Sequence, residues 1–124
     1  MLVKRRMHQP TVAIAESHHE IADALEDVVA LAGCVPVTVN SIEALQDMRS
    51  TAAAIVVRVA TEMTDSSPHL VLQELALSTR PLVVALTSSD ADVAEAQRLH
   101  CEVVLRAPHQ VQGLYETLQD LAST

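Results

Sequence analysis

Residues 11–39 read TVAIAESHHEIADALEDVVALAGCVPVTV, two short apolar runs with one amphipathic segment between them. Thr11–Ala15 and Val35–Val39 are rich in β-branched residues and nearly continuous in apolar character, the pattern of strands covered on both faces. Between them Ile21, Ala24, Leu25, Val28, Val29 and Ala32 recur at the spacing of one helical face. Ser17 is placed to cap that helix at its start, and Gly33 to end it at the C′ position. A strand, a helix and a second strand in this order make a β-α-β unit, which requires the two strands to be parallel.

The same alternation continues to the end of the chain. Further strand-like runs occupy Ala53–Val57, Leu82–Leu86 and Glu102–Leu105. A second helix is expected to open at Asn40 or Ser41, with Glu43 set for a capping box behind Asn40, and to bury Ile42, Leu45 and Met48. A third opens with Ser67 as cap and Pro68 in its first turn and carries Val71, Leu72 and Leu75 inward. A short alanine-rich fourth helix starts at Ser89 or Asp90 and ends near His100. The fifth begins near Gln110 with Val111, Leu114, Leu118 and Leu121 on one stripe. Five βα units predict an α/β domain over residues 11–124, with helices on both faces of a parallel sheet. Residues 1–10 are expected to be a short, mobile basic tail. In such a sheet the functional crevice lies at the carboxyl ends of the strands. That places Glu16 to His19, Arg58 to Asp65, Thr87 to Ser89 and Arg106 to His109 around it.

Composition narrows the chemistry. The chain has 124 residues, a net charge of −8 and a single aromatic residue, Tyr115, so no base-stacking platform for single-stranded nucleic acid can form. Lys4, Arg5 and Arg6 stand alone at the start, and from residue 11 onward 5 arginines face 16 acids. A body this acidic repels phosphate backbones, which weighs against direct binding of DNA or RNA. No run reaches the roughly 20 apolar residues of a membrane span, and the start lacks the apolar core of a signal peptide, so a cytoplasmic protein is expected. Cys34 and Cys101 lack CxxC spacing and read as small core residues. Two glycines, Gly33 and Gly113, are too few for a P-loop or a GxGxxG turn. With no nucleophile turn at Thr87–Ser88–Ser89 either, no enzymatic activity and no cofactor are expected.

From Val12 to about Leu121 the chain resembles the receiver domains of bacterial response regulators. VAIAESHHEIADAL resembles the family's first strand, which ends in an acidic pair; VVALTSS ends its strand in Thr87; VVLRAPH keeps a proline, Pro108, after its fifth strand. The resemblance implies a flavodoxin-like (βα)5 doubly wound three-layer sandwich with strand order 2-1-3-4-5. It also implies a phosphorylation pocket, and here the pocket is degenerate. Glu16 matches the first metal-binding acid, but Ser17 stands at the second. Arg58 falls on the phosphoacceptor aspartate, Ala107 on the phosphate-binding lysine and Val104 on the aromatic switch residue; Thr87 alone is retained. Receiver chemistry needs a carboxylate nucleophile, oxygens for a hard cation and a cation for the phosphoryl oxygens. A pseudo-receiver that works without phosphorylation is therefore expected, acting as a protein–protein interaction module in a two-component or phosphorelay pathway.

Arg58 carries two readings. Its guanidinium forms a permanent ion pair with Glu16 in the space of a phosphoryl group and magnesium, or it reaches into solvent from the strand end. Asp65 lies in the following loop, and Arg106, facing the opposite side of its strand from Ala107, substitutes poorly for the lysine. His18, His19 and His109, with Glu16, Glu20, Glu62 and Asp65, bring imidazoles and carboxylates to one edge but without the HxH or HxxxH spacing of a metal site, so no metal is expected. His69 and His100 read as surface residues. The interaction face expected on the family's pattern comprises Ala91, Ala94, Val104, Arg106, Leu114 and Tyr115, with Ala96 adding to a small, flat helix surface. A signalling protein of unknown identity, or a second copy in a homodimer, is the expected partner. The alternative is a sensor of a small molecule or anion held by Arg58, Thr87 and the start of the first helix.

Overall fold

A computed structural model describes residues 9–48, 50–59, 81–98 and 101–123. Five strands, β1 (Thr11–Ala15), β2 (Val35–Val39), β3 (Ala54–Arg58), β4 (Leu82–Thr87) and β5 (Val103–Arg106), form one sheet in the order β2-β1-β3-β4-β5. Every neighbouring pair is parallel. Four helices are described: α1 (His19–Leu31), α2 (Ile42–Met48), α3 (Asp90–Arg98) and α4 (Gln110–Ser123). This is the flavodoxin-like α/β architecture and the strand order expected. The helix expected from Ser67 lies outside the described residues, as do residues 1–8, Glu62, Asp65, His69 and His100.

Alternation along the strands makes two cores. On one face Ala13, Ala15, Ile55, Val57 and Val83 pack with Leu45 of α2. On the other Val12, Ile14, Val56, Val84 and Leu86 pack with Leu25 and Val29 of α1 and Leu114 and Leu118 of α4. Both faces of β1, β3 and β4 are covered, which is why their sequences are continuously apolar. Leu114 and Leu118 are fully buried, each stabilising the fold by about 1.5–3 kcal/mol relative to an exposed side chain. Burial pushes the Cys34 thiol above its ordinary pKa, and its Sγ donates to the Leu118 carbonyl.

Gly33 ends α1 as expected, at φ +97°, in the left-handed region where a Cβ is costly. The Gly33 N–H bonds the Ala30 carbonyl and the Cys34 N–H the Val29 carbonyl, the paired bonds of a Schellman motif. Ser89 caps α3, its Oγ accepting from the Asp92 N–H at 3.1 Å. Elsewhere the local expectations shift. Ser17 does not cap α1: the N-cap is His18, and its N–H donates to the Glu16 carboxylate instead. The capping box behind Asn40 is absent; Ser41 caps α2 by accepting from the Ala44 N–H, which leaves Glu43 one residue short of the box position. On α1 the inward stripe runs through Ala22, with Ala24 exposed. On α4 Val111 is exposed, because packing against the sheet begins only at Leu114. Strands β3 and β5 start and end one residue later than the apolar runs, since Arg58 pairs with Leu86 and Arg106 with Thr87. The Pro10 carbonyl, just before β1, accepts the Val35 N–H at 2.8 Å. Among the described residues no helix is long and apolar enough to cross a membrane.

Candidate functional site

Glu16 follows β1 directly and Arg58 ends β3, the strand beside it. The register aligns Ala15 with Val57, so the next residue on each strand is delivered side by side at the carboxyl edge. There the two side chains meet. Arg58 Nε donates to Glu16 Oε1 at 2.8 Å and Nη2 to Oε2 at 2.9 Å, a two-pronged, charge-assisted pair. The Glu16 side chain is 0% exposed and that of Arg58 23%, so water screens the pair weakly. Glu16 Oε2 also accepts the His18 N–H at 3.0 Å, which turns the carboxylate across the start of α1. The ion-pair reading of Arg58 is thus the one observed, and the solvent reading is not.

His18 completes the cluster. Its Nδ1 lies 3.3 Å from Arg58 Nη2 and 3.5 Å from Glu16 Oε2. A guanidinium only donates, so the first contact is a hydrogen bond when Nδ1 is unprotonated, and a protonated Nδ1 pairs with the carboxylate instead. The sequence placed His18 on a polar rim or in a metal site; its contact with Arg58 had no signal in the spacing. His19 turns away and pairs with Asp23 one helical turn on. Among the described residues no group of three or more His, Cys, Asp or Glu is arranged to hold a metal ion.

The β4 and β5 ends close the other side. Thr87 is buried, and its Oγ1 donates to the Leu105 carbonyl at 3.0 Å, so the hydroxyl ties β4 to β5. Ala107 donates its N–H to the Thr87 carbonyl and offers no charged group; the Ala107–Pro108 peptide is cis. Arg106 Nη1 pairs with Asp90 Oδ1 at the start of α3. Ser17 is exposed beside Glu16. A carboxylate already neutralised by a guanidinium is a poor ligand for a divalent cation, because the fixed positive charge repels it.

On the expected interaction face, Ala91, Ala94 and Arg106 are exposed and Val104 and Tyr115 are half-buried. Leu114 does not belong to it: it is fully buried against the sheet, because α4 points its Leu114–Leu118 stripe inward. Ala96 is likewise buried, packed with Val59 and Ala85 and against Val104, so it does not widen the outer face of α3.

Comparison with solved structures places this geometry. The receiver domain of a Francisella response regulator superposes with a TM-score of 0.76 at 17% identity, over 93% of this chain and 98% of that one. A CheY-like receiver domain from Methylobacillus flagellatus gives 0.74 at 20% identity, over 92% and 99%. The chain has the receiver fold. The receiver domain of a DNA-binding response regulator from Colwellia psychrerythraea 34H matches equally well, with a TM-score of 0.76 at 16% identity over 94% of this chain and 100% of that one. No protein-family model matches the sequence, and no curated protein matches it. On the receiver fold, the Glu16–Arg58 pair sits at the carboxyl edge of the two central strands.

Proposed function

We propose that this domain is a regulatory module of signal transduction that works without phosphorylation, recognising a protein partner rather than carrying a phosphoryl group. The observation that carries the reading is the two-pronged bond between Arg58 and Glu16 at 2.8 and 2.9 Å. Among the described residues, an internally neutralised pair stands at the carboxyl edge where phosphoryl transfer would need a carboxylate nucleophile and a metal site. Opposite it, Ala107 has no cation for phosphoryl oxygens, and the Thr87 hydroxyl is engaged with Leu105. On this reading the domain is not an enzyme, binds no resident cofactor, and is regulated through its partner or its abundance.

Sensing of an anion at Arg58 is the weaker reading. Nε and Nη2 are already committed to Glu16, so an anion would have to compete with a buried carboxylate for the same donors. Incubation with magnesium and acetyl phosphate, read by intact mass, tests the proposal. The expected result is an unmodified chain. A stoichiometric phosphoryl adduct would overturn it and return the domain to phosphoryl transfer.

A further inference from the structure

The amino edge of the sheet carries a surface that is both acidic and apolar. Helices α1 and α4 end there side by side, since a Cβ on Gly33, just past α1, would stand 3.3 Å from the Ala122 Cβ of α4. Neither helix has a base in its last turn, so the negative ends of two helix dipoles meet without a cation. Asp27 and Asp120 are exposed near those ends. Of the three exposed large apolar side chains among the described residues, two lie here, Leu31 at 75% exposure and Val35 at 40%.

The outer face of α1 leads away from that point. Glu20, Ala24, Asp27 and Leu31, spaced i, i+4, i+7 and i+11, are all exposed, and α1 contains no lysine or arginine. His19 engages Asp23 and Thr38 engages Glu26, whereas Asp27 has no bonded partner among the described residues. The chain enters the fold beside this face, because the Pro10 carbonyl bonds the N–H of Val35, four residues after Leu31. Residues 1–8 hold three bases, Lys4, Arg5 and Arg6, no acid, and the apolar Leu2, Val3 and Met7.

We propose that residues 1–8 lie extended along the outer face of α1, with Met7 over Leu31, Arg5 against Asp27 and Val3 on Ala24. The spacing selects this register. In an extended segment Val3, Arg5 and Met7 share one side, at intervals of about 6.6 Å. On α1, Leu31, Asp27 and Ala24 follow one another at about 6 and 4.5 Å along the helix axis. Apolar meets apolar, base meets acid, and the last apolar side chain meets a small one. Arg5 also supplies the cation that the end of α1 lacks. The tail is then a strap on its own domain rather than a free basic arm. This docking does not depend on whether the carboxyl-edge pocket accepts phosphate.

The steady-state proton–nitrogen NOE of the amides of residues 3–7, measured on the full chain at low salt, tests it. Positive values close to those of α1 are expected at every protein concentration, falling as salt is raised. Asp27→Arg is expected to drop them to the negative values of a free tail. Far-ultraviolet circular dichroism should not change, because a base near the end of α1 suits the helix itself. Adding Arg5→Asp should restore the order, which separates this pair from a general attraction between the tail and an acidic body. Leu31→Ser should lower the values part of the way. Negative values throughout residues 3–7 of the unaltered chain, or an ordered tail indifferent to Asp27→Arg, would overturn the proposal. Order that appears only as protein concentration rises would place the tail on a second copy and would overturn it as well.

Discussion

Two arginine–carboxylate pairs stand at the carboxyl edge of this sheet, and they differ in everything but chemistry. Arg58–Glu16 joins the ends of two central strands, with side chains 23% and 0% exposed. Arg106–Asp90 joins the edge strand to the first residue of α3, with side chains 49% and 91% exposed. Water and salt screen the second and barely reach the first. The same residue types therefore act as a fixed structural element in one place and as a surface contact in the other. Burial, rather than the presence of opposite charges, determines which pair defines the site.

The contrast is sharpest when one partner is removed. Arg58→Ala leaves the Glu16 carboxylate buried without its counter-charge, and a loss of about 3–5 kcal/mol in unfolding free energy is expected from chemical denaturation. Replacing both partners by apolar residues of similar size, Glu16→Leu with Arg58→Met, should recover most of that loss, since the cost lies in the orphaned charge. If the single variant is as stable as the parent, the pair is not the structural element described. Thr87→Val comes next. It leaves the Leu105 carbonyl without the hydroxyl bond inside a buried corner, and about 1–2 kcal/mol is expected by the same measurement. Arg106→Ala should change stability by less than about 1 kcal/mol, with any effect fading at high salt. An Arg106→Ala loss equal to that of Arg58→Ala would abolish the distinction between the two pairs.

Much of this geometry was legible in the sequence. Period and punctuation gave the order of strands and helices, because a doubly covered strand must be continuously apolar and Gly33 must supply a positive φ. The Glu16–Arg58 contact was also within reach: two charged residues following aligned apolar runs on neighbouring parallel strands are carried to the same place. What escaped depended on direction rather than type. Ser17 has the chemistry of a cap, but the Glu16 carboxylate reaches the His18 N–H first. Leu114 falls both on the apolar stripe of the last helix and on the interaction face of the family's pattern; the phase of α4 turns it inward, as the stripe requires, and removes it from that face. The contact of His18 with Arg58 follows from the exit angle of the chain after β1, which no spacing rule encodes.

A guanidinium neutralises the acid at the heart of the pocket. The most direct measurement is the nitrogen–proton NMR spectrum of the Arg58 Nε–H, assigned by its loss in Arg58→Lys and followed through a magnesium titration. A protected signal is expected, slow to exchange with solvent and unmoved by magnesium, since Nε–H is held by Glu16 Oε1 at 2.8 Å. A fast-exchanging signal, or one that shifts in a saturable way as magnesium is added, would contradict it.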